Sequence, residues 1–242
     1  MSALDRFIDA CQQIFGNNLV CILLLGSVHR GDSTPFSDID LIMILNTMDT
    51  KQVTELRSVV RSLEMLIDCS ILCVDEIPKD LNNFRLGSHG CYQLELVLKR
   101  AQCVLGINIL LTLPQPDVSE IRKSLVEKIT EYTWWTRRMF VESNRERSLE
   151  MNYKLNSRIV KMVRDFLYLK LGDDIDESAK ITIAKFVSEY GAQLTNQEKI
   201  ALKNLARVGE ISRNASNMSD EYFLVRYSLV NKIYKWTIKF VI

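Results

Sequence analysis

All four prolines of this chain lie within its first 116 residues, the last two in Leu113-Pro-Gln-Pro-Asp117. Proline fixes φ and lacks an N–H donor, so two in four residues stop regular structure there. Residues 117–242 contain none, and their apolar positions recur at helical spacing throughout. Helices are expected near Ser119–Ser143, Ser148–Leu171, Ser178–Tyr190, Asn196–Ile211 and Ser219–Val241, with Gly172 and Gly191 where helix C-caps belong. The second half reads as an all-α helical bundle.

The first half alternates. Ser2 can cap a helix over Ala3–Phe15, with Leu4, Phe7, Ile8, Cys11 and Ile14 on one face, and Asn17-Asn18 breaks it. Leu19–Leu25 is a continuous apolar, β-rich run, as in a strand covered on both faces. Gly26–Ser37 reads as a loop, Ile39–Leu45 as a second strand, Lys51–Met65 as a helix and Ile67–Val74 as a third strand. A helix over Gln93–Arg100 and a short strand near Cys103–Leu105 are expected to follow. The fold class is therefore α+β: a small mixed β-sheet domain over residues 1–112, a linker, and a helical bundle domain over 117–242.

Charge divides the same way. Residues 1–115 hold 9 Lys+Arg against 13 Asp+Glu, a balance of −4; residues 116–242 hold 22 against 17, a balance of +5. The formal net charge of +1 gives no whole-molecule field for nucleic acid or membrane. The longest clean apolar run is too short to span a bilayer, and Met1–Asp9 reads as a helix start and not as a signal peptide. The six cysteines form no Cys-x-x-Cys pair and no zinc-spaced Cys/His cluster, so they read as buried reduced thiols of a cytoplasmic protein.

The chemistry concentrates between the first two strands, in Gly26-Ser-Val-His-Arg-Gly-Asp-Ser-Thr-Pro-Phe-Ser-Asp38-Ile-Asp40-Leu41. Asp38 and Asp40 stand two apart at a strand start, so both carboxylates project to one face. A divalent cation relieves their repulsion, and hard oxygen ligands suit Mg²⁺ or Mn²⁺. Gly26 lets a phosphate approach the backbone, and Ser27 can donate a hydroxyl hydrogen bond to it. Asp68 is the candidate third carboxylate, because a lone acid in the apolar strand Leu66–Leu72 is costly unless paired or metal-bound. Strand alternation alone does not show that it faces the other two.

Gly26-Ser27 followed after ten residues by Asp38-Ile39-Asp40 resembles the signature of the DNA polymerase β-type nucleotidyltransferase superfamily. Arg30-Gly31-Asp32 and Ser37–Leu41 resemble the minimal nucleotidyltransferases and the aminoglycoside adenylyltransferases, and Val104-Leu105-Gly106 is similar to the ending of such domains. The resemblance covers roughly residues 1–112 and implies a nucleotidyltransferase domain there. It implies two metal ions, one activating an attacking oxygen and one steadying the pyrophosphate leaving group. Carried over, Gly26 and Ser27 bind the nucleotide phosphate, Asp38 and Asp40 bind metal, and Asp68 binds metal or acts as base; Arg30 is a further nucleotide-binding candidate.

Plainer readings compete elsewhere. Arg30 either touches phosphate or pairs with Asp32, and His29 and His89 read as solvated loop histidines. Trp134-Trp135 reads as core packing before a stacking platform. Lys154, Arg158, Lys161 and Arg164 recur at helical spacing, as a solvated face or as a cationic wall facing phosphates across a cleft.

The leading function is transfer of a nucleoside monophosphate, AMP from ATP, onto a hydroxyl acceptor. The acceptor is a small molecule or a protein side chain; an RNA end is possible but not favoured, and no membrane partner is expected. Glu131, Glu142 and Glu150 are candidates for acceptor contact or an extra base. The alternative is a non-catalytic antitoxin or regulatory module with a relic domain, against which the intact carboxylates speak. A ribonuclease built on an Arg/His motif is disfavoured, since no histidine follows His89.

Overall fold

A computed structural model describes residues 2–31, 33, 38–63, 66–80, 82, 100–142, 149–172, 178–205 and 220–241. The chain divides into two compact units, Met1–Ile121 and Arg122–Ile242.

The first unit is a sheet with helices. Helix α1 spans Ala3–Phe15; the Ser2 hydroxyl accepts from the Asp5 N–H while the Asp5 carboxylate accepts from the Ser2 N–H, a reciprocal capping box. Strands β1 (Leu19–Leu25), β2 (Ile39–Leu45), β3 (Ile67–Cys73) and β4 (Gln102–Gly106) form one sheet in the order β3-β2-β1-β4. Strand β1 runs antiparallel to β2 and β4, and β2 runs parallel to β3, so the sheet is mixed. The parallel pair is joined through helix α3 (Thr50–Ser62), capped by the Asp49 carboxylate on the Lys51 N–H. Helix α2 (Gly26–Arg30) leaves β1 directly.

Alternation sorts the apolar side chains onto two faces. Ile22, Leu24, Ile39, Leu41, Met43 and Leu45 pack with Phe7, Cys11, Phe15 and Leu56 of α1 and α3. Cys21, Leu23, Ile42, Ile44 and Leu72 form the opposite face with Leu110.

The second unit, described by itself, is helical: α4 (Val118–Glu142, whose first residues belong to unit one), α5 (Leu149–Leu171), α6 (Ala179–Tyr190), α7 (Asn196–Leu205) and α8 (Asp220–Val241). Its core holds Ile129, Leu155, Ile159, Met162, Phe166, Phe186, Leu202, Phe223 and Ile233. Phe166, Phe186, Tyr190 and Trp236 contact one another edge-on or tilted, and Tyr190 stacks on Trp236. Glu198 is 2% exposed; its carboxylate accepts from Lys232 Nζ at 2.6 Å, the Thr195 N–H at 2.8 Å and the Ser228 hydroxyl at 3.0 Å.

Several sequence expectations change here. Gly26–Arg30, read as loop, is a short helix, because Val28 packs onto the α1/α3 face and Gly31 closes the turn in the left-handed region. Gly172 is left-handed at the end of α5, with its N–H on Tyr168 O. Gly191 is the C-cap of α6 as expected, its N–H donating to Val187 O, but it is right-handed and continues into a 3₁₀ turn. Cys11, Cys21 and Cys73 are buried and Cys69 is half-buried, all as free thiols, but Cys103 is exposed. Trp134 is 71% exposed, whereas Trp135 packs against the core. Adjacent residues on a helix lie about 100° apart, so burying one turned the other outward.

The three described members of the basic set, Arg158, Lys161 and Arg164, do not share one environment. The Arg158 guanidinium lies over the Trp135 ring at 3.3 Å, Arg164 lies 3.8 Å from the buried Asp165, and Lys161 is exposed. The Lys154 side chain, His89, Cys91, most of Gln93–Arg100 and the side chains of Glu142 and Glu150 lie outside the described residues.

Candidate metal and nucleotide site

Ile39 and Leu41 point into the α1/α3 core, so Asp38 and Asp40, on either side of Ile39, project to the opposite face. Ile67 and Cys69 pack on that same core, which sends Asp68 to the face of Asp40. The parallel register places Asp40 directly beside Asp68, and Ile39 N–H donates to Leu66 O at 2.9 Å at the entry to the pair. One carboxylate oxygen from each of Asp38, Asp40 and Asp68 lies within 4.8 Å of the others.

Asp38 and Asp40 are half-buried and Asp68 is exposed, so the cluster opens to solvent through Asp68. Three anionic oxygens this close repel unless a cation or proton lies among them. An all-oxygen set at this spacing fits Mg²⁺ or Mn²⁺ and not a soft metal. The neighbouring thiol offers no ligand there: Cys69 points to the other face, and burial, then the Asp68 charge, pushes it up to about 12.

Leu25, the last residue of β1, is the cross-strand partner of Asp40, so α2 begins beside the carboxylates. Gly26 turns the chain there with φ +71°. Ser27 is half-buried, and Arg30, at the end of α2, is exposed. His29 is half-buried and not solvated as expected; its Nδ1 is buried with no hydrogen-bond partner among the described residues. Asp32, the expected partner of Arg30, lies outside the described residues.

The nucleotidyltransferase domain family matches residues 4–86, which contain β1, α2, β2 and β3 and all three carboxylates. That likeness to a nucleotidyltransferase domain lies wholly within the first unit. A relative from Methanocaldococcus jannaschii, provisionally named a protein adenylyltransferase, is 32% identical over 82 residues, 33% of this chain and 56% of the relative. The chain thus spans little more than half the length of that curated relative. Among solved structures, a spectinomycin adenyltransferase from an Enterococcus, bound to ATP and spectinomycin, matches with a TM-score of 0.67 at 13% identity, covering 98% of each chain. That likeness is one of fold.

In the second unit, Glu131 is exposed and paired with Lys128 at 2.7 Å on its own helix. Charged groups that sequence reading passed over there include the buried Glu198 and the fully buried Asp165 and Arg226, the last donating from Nε to Asn156 Oδ1 at 2.9 Å. Burial lowers Arg226 to about 9. Nothing in their local sequence separates them from solvated helix charges. Among the described residues, no helix is long and apolar enough to cross a membrane.

Proposed function

We propose that this protein is a divalent-metal-dependent nucleotidyltransferase that moves AMP from ATP onto a hydroxyl acceptor. The observation carrying this reading is the convergence of Asp38, Asp40 and Asp68 within 4.8 Å inside a nucleotidyltransferase domain. Asp38 and Asp40 would hold Mg²⁺ or Mn²⁺, with Asp68 sharing it; bound there, the cation neutralises the triphosphate and polarises the phosphorus under attack. The Ser27 hydroxyl donates to a phosphate oxygen, and the Arg30 guanidinium offsets charge further along the triphosphate. Asp68, the member open to solvent, takes the proton of the acceptor hydroxyl. The acceptor oxygen bonds to the α-phosphorus, the bond to the β-phosphate breaks, and pyrophosphate leaves.

The two named relatives bracket the acceptor classes: one is named for a protein, the other for spectinomycin. Incubating the chain with Mg²⁺, α-labelled ATP and either spectinomycin-type compounds or candidate proteins, while following pyrophosphate release, tests both. Label on an acceptor, lost in Asp38→Asn, is the expected result. Absence of release with every nucleotide and acceptor would favour the non-catalytic alternative.

A further inference from the structure

We infer that Gly26 is a positioning residue for the Asp40 carboxylate. Because Leu25 is the cross-strand partner of Asp40, the next residue must turn away directly above that side chain. Gly26 does so at φ +71°, a conformation that L side chains rarely adopt. A Cβ built on Gly26 would overlap Asp40 Oδ2 and would lie 2.7 Å from Asp40 Cγ and 3.1 Å from Asp40 Cβ. The volume that any other residue would fill at position 26 is thus taken by the carboxylate. The missing side chain lets Asp40 lie against the backbone turn and reach the oxygens of Asp38 and Asp68. A larger residue must push Asp40 off the cluster or move the turn. This role is distinct from close approach of a phosphate. It rests on the reading of the cluster as a metal site, but the Gly26–Asp40 contact itself does not.

The other end of α2 supplies a control. Gly31 has φ +74°, yet no described residue lies within 4 Å of where its Cβ would stand. Gly31→Ala therefore reports backbone strain alone, and Gly26→Ala reports strain plus displacement of Asp40. Both substitutions are made with Asp40 intact and with Asp40→Ala, which removes the carboxylate and leaves only its Cβ near the new methyl. In metal-free protein, Gly26→Ala should lower the thermal midpoint clearly more than Gly31→Ala when Asp40 is intact. With Asp40 truncated, the two losses should be similar. Titration with Mn²⁺ alone, read from the free-ion resonance signal, should show a dissociation constant raised roughly tenfold or more by Gly26→Ala and little changed by Gly31→Ala.

Equal losses of midpoint for Gly26→Ala in both backgrounds, or an unchanged Mn²⁺ affinity, would overturn the inference. If Gly26→Ala does not fold, recovery of folding on adding Asp40→Ala supports it, and failure to recover counts against it. Should the wild-type chain take up no Mn²⁺, the metal reading fails; the thermal comparison, run without metal, still decides the contact.

Discussion

Asp40 on β2 and Asp68 on β3 are direct neighbours in a parallel ladder, so backbone hydrogen bonds hold the two carboxylates side by side against their mutual repulsion. Added Mg²⁺ should relieve that repulsion and raise the thermal midpoint, by the equivalent of about 2.7 kcal/mol at a hundredfold excess over its dissociation constant. Asp40→Asn should keep or slightly raise the metal-free midpoint, abolish the Mg²⁺-dependent rise and cut transfer by roughly 10²–10³-fold or more. Calorimetric melts with and without Mg²⁺, paired with a turnover assay, check this. A mutant that keeps its Mg²⁺ response would remove Asp40 from the metal site.

A second prediction concerns the helical unit and acid. Burial alone would raise the Glu198 carboxyl, but hydrogen bonds from Lys232, the Thr195 N–H and Ser228 outweigh it and leave it below its ordinary 4.5. A carboxylate depressed on folding contributes stability that is complete above its unfolded value and is lost as pH falls through the folded one. The contribution should therefore be present at neutral pH and decline below pH 4.5. Glu198→Gln should cost roughly 2–3 kcal/mol at pH 7, below the full cost of breaking a buried pair because Lys232 is one-third exposed. The wild-type advantage should shrink in urea melts below that range; an advantage independent of pH would contradict it.

Thiol chemistry should discriminate sharply. Cys103 is exposed, while Cys11 is pushed up to about 12 and Cys21 to about 11, in both cases chiefly by burial. Since the thiolate is the reactive form, a maleimide should label Cys103 in the native protein and reach Cys11, Cys21 and Cys73 only in denaturant. Peptide mapping after a brief exposure reads this directly, and native labelling of Cys11 would argue against the packing of α1.

Arg158 stacks on Trp135. Arg158→Ala should cost about 1–2 kcal/mol of stability, and Arg158→Lys should recover only part of that, because an ammonium cannot reproduce the planar stack. Denaturant melts should give that order. If Lys restored full stability, the guanidinium plane would have no part in it.

The strands show how far sequence reading reached. Leu19–Leu25 is an unbroken apolar run and Ile39–Leu45 is one interrupted by Asp40 alone, and an interior strand needs little else to declare itself. Asp68 was identifiable as an anomaly, but its face was not, because alternation permits either side until the partner's register is known. The Gly26–Asp40 contact was illegible for the same reason: it follows from the pairing of Leu25 with Asp40 across 15 positions of chain. Helix α2 escaped notice because a five-residue helix has no periodicity to read. The burial of Asp165, Glu198 and Arg226 depends on neighbouring helices that no local pattern names.

Among the described strands, β2 is interior and β3 lies at the edge. Asp40 is therefore held in an interior strand, with Asp38 just before it, where exchange should be slowest, and Asp68 in an edge strand that should open more readily. Loosening β3 would scatter the cluster while the remaining pairing of β2 with β1 persists. In a denaturant series, Mg²⁺ binding should then disappear at a lower concentration than the sheet's circular dichroism signal. The amides of Ile67–Cys73 should also trade hydrogen for deuterium well before those of Ile39–Leu45.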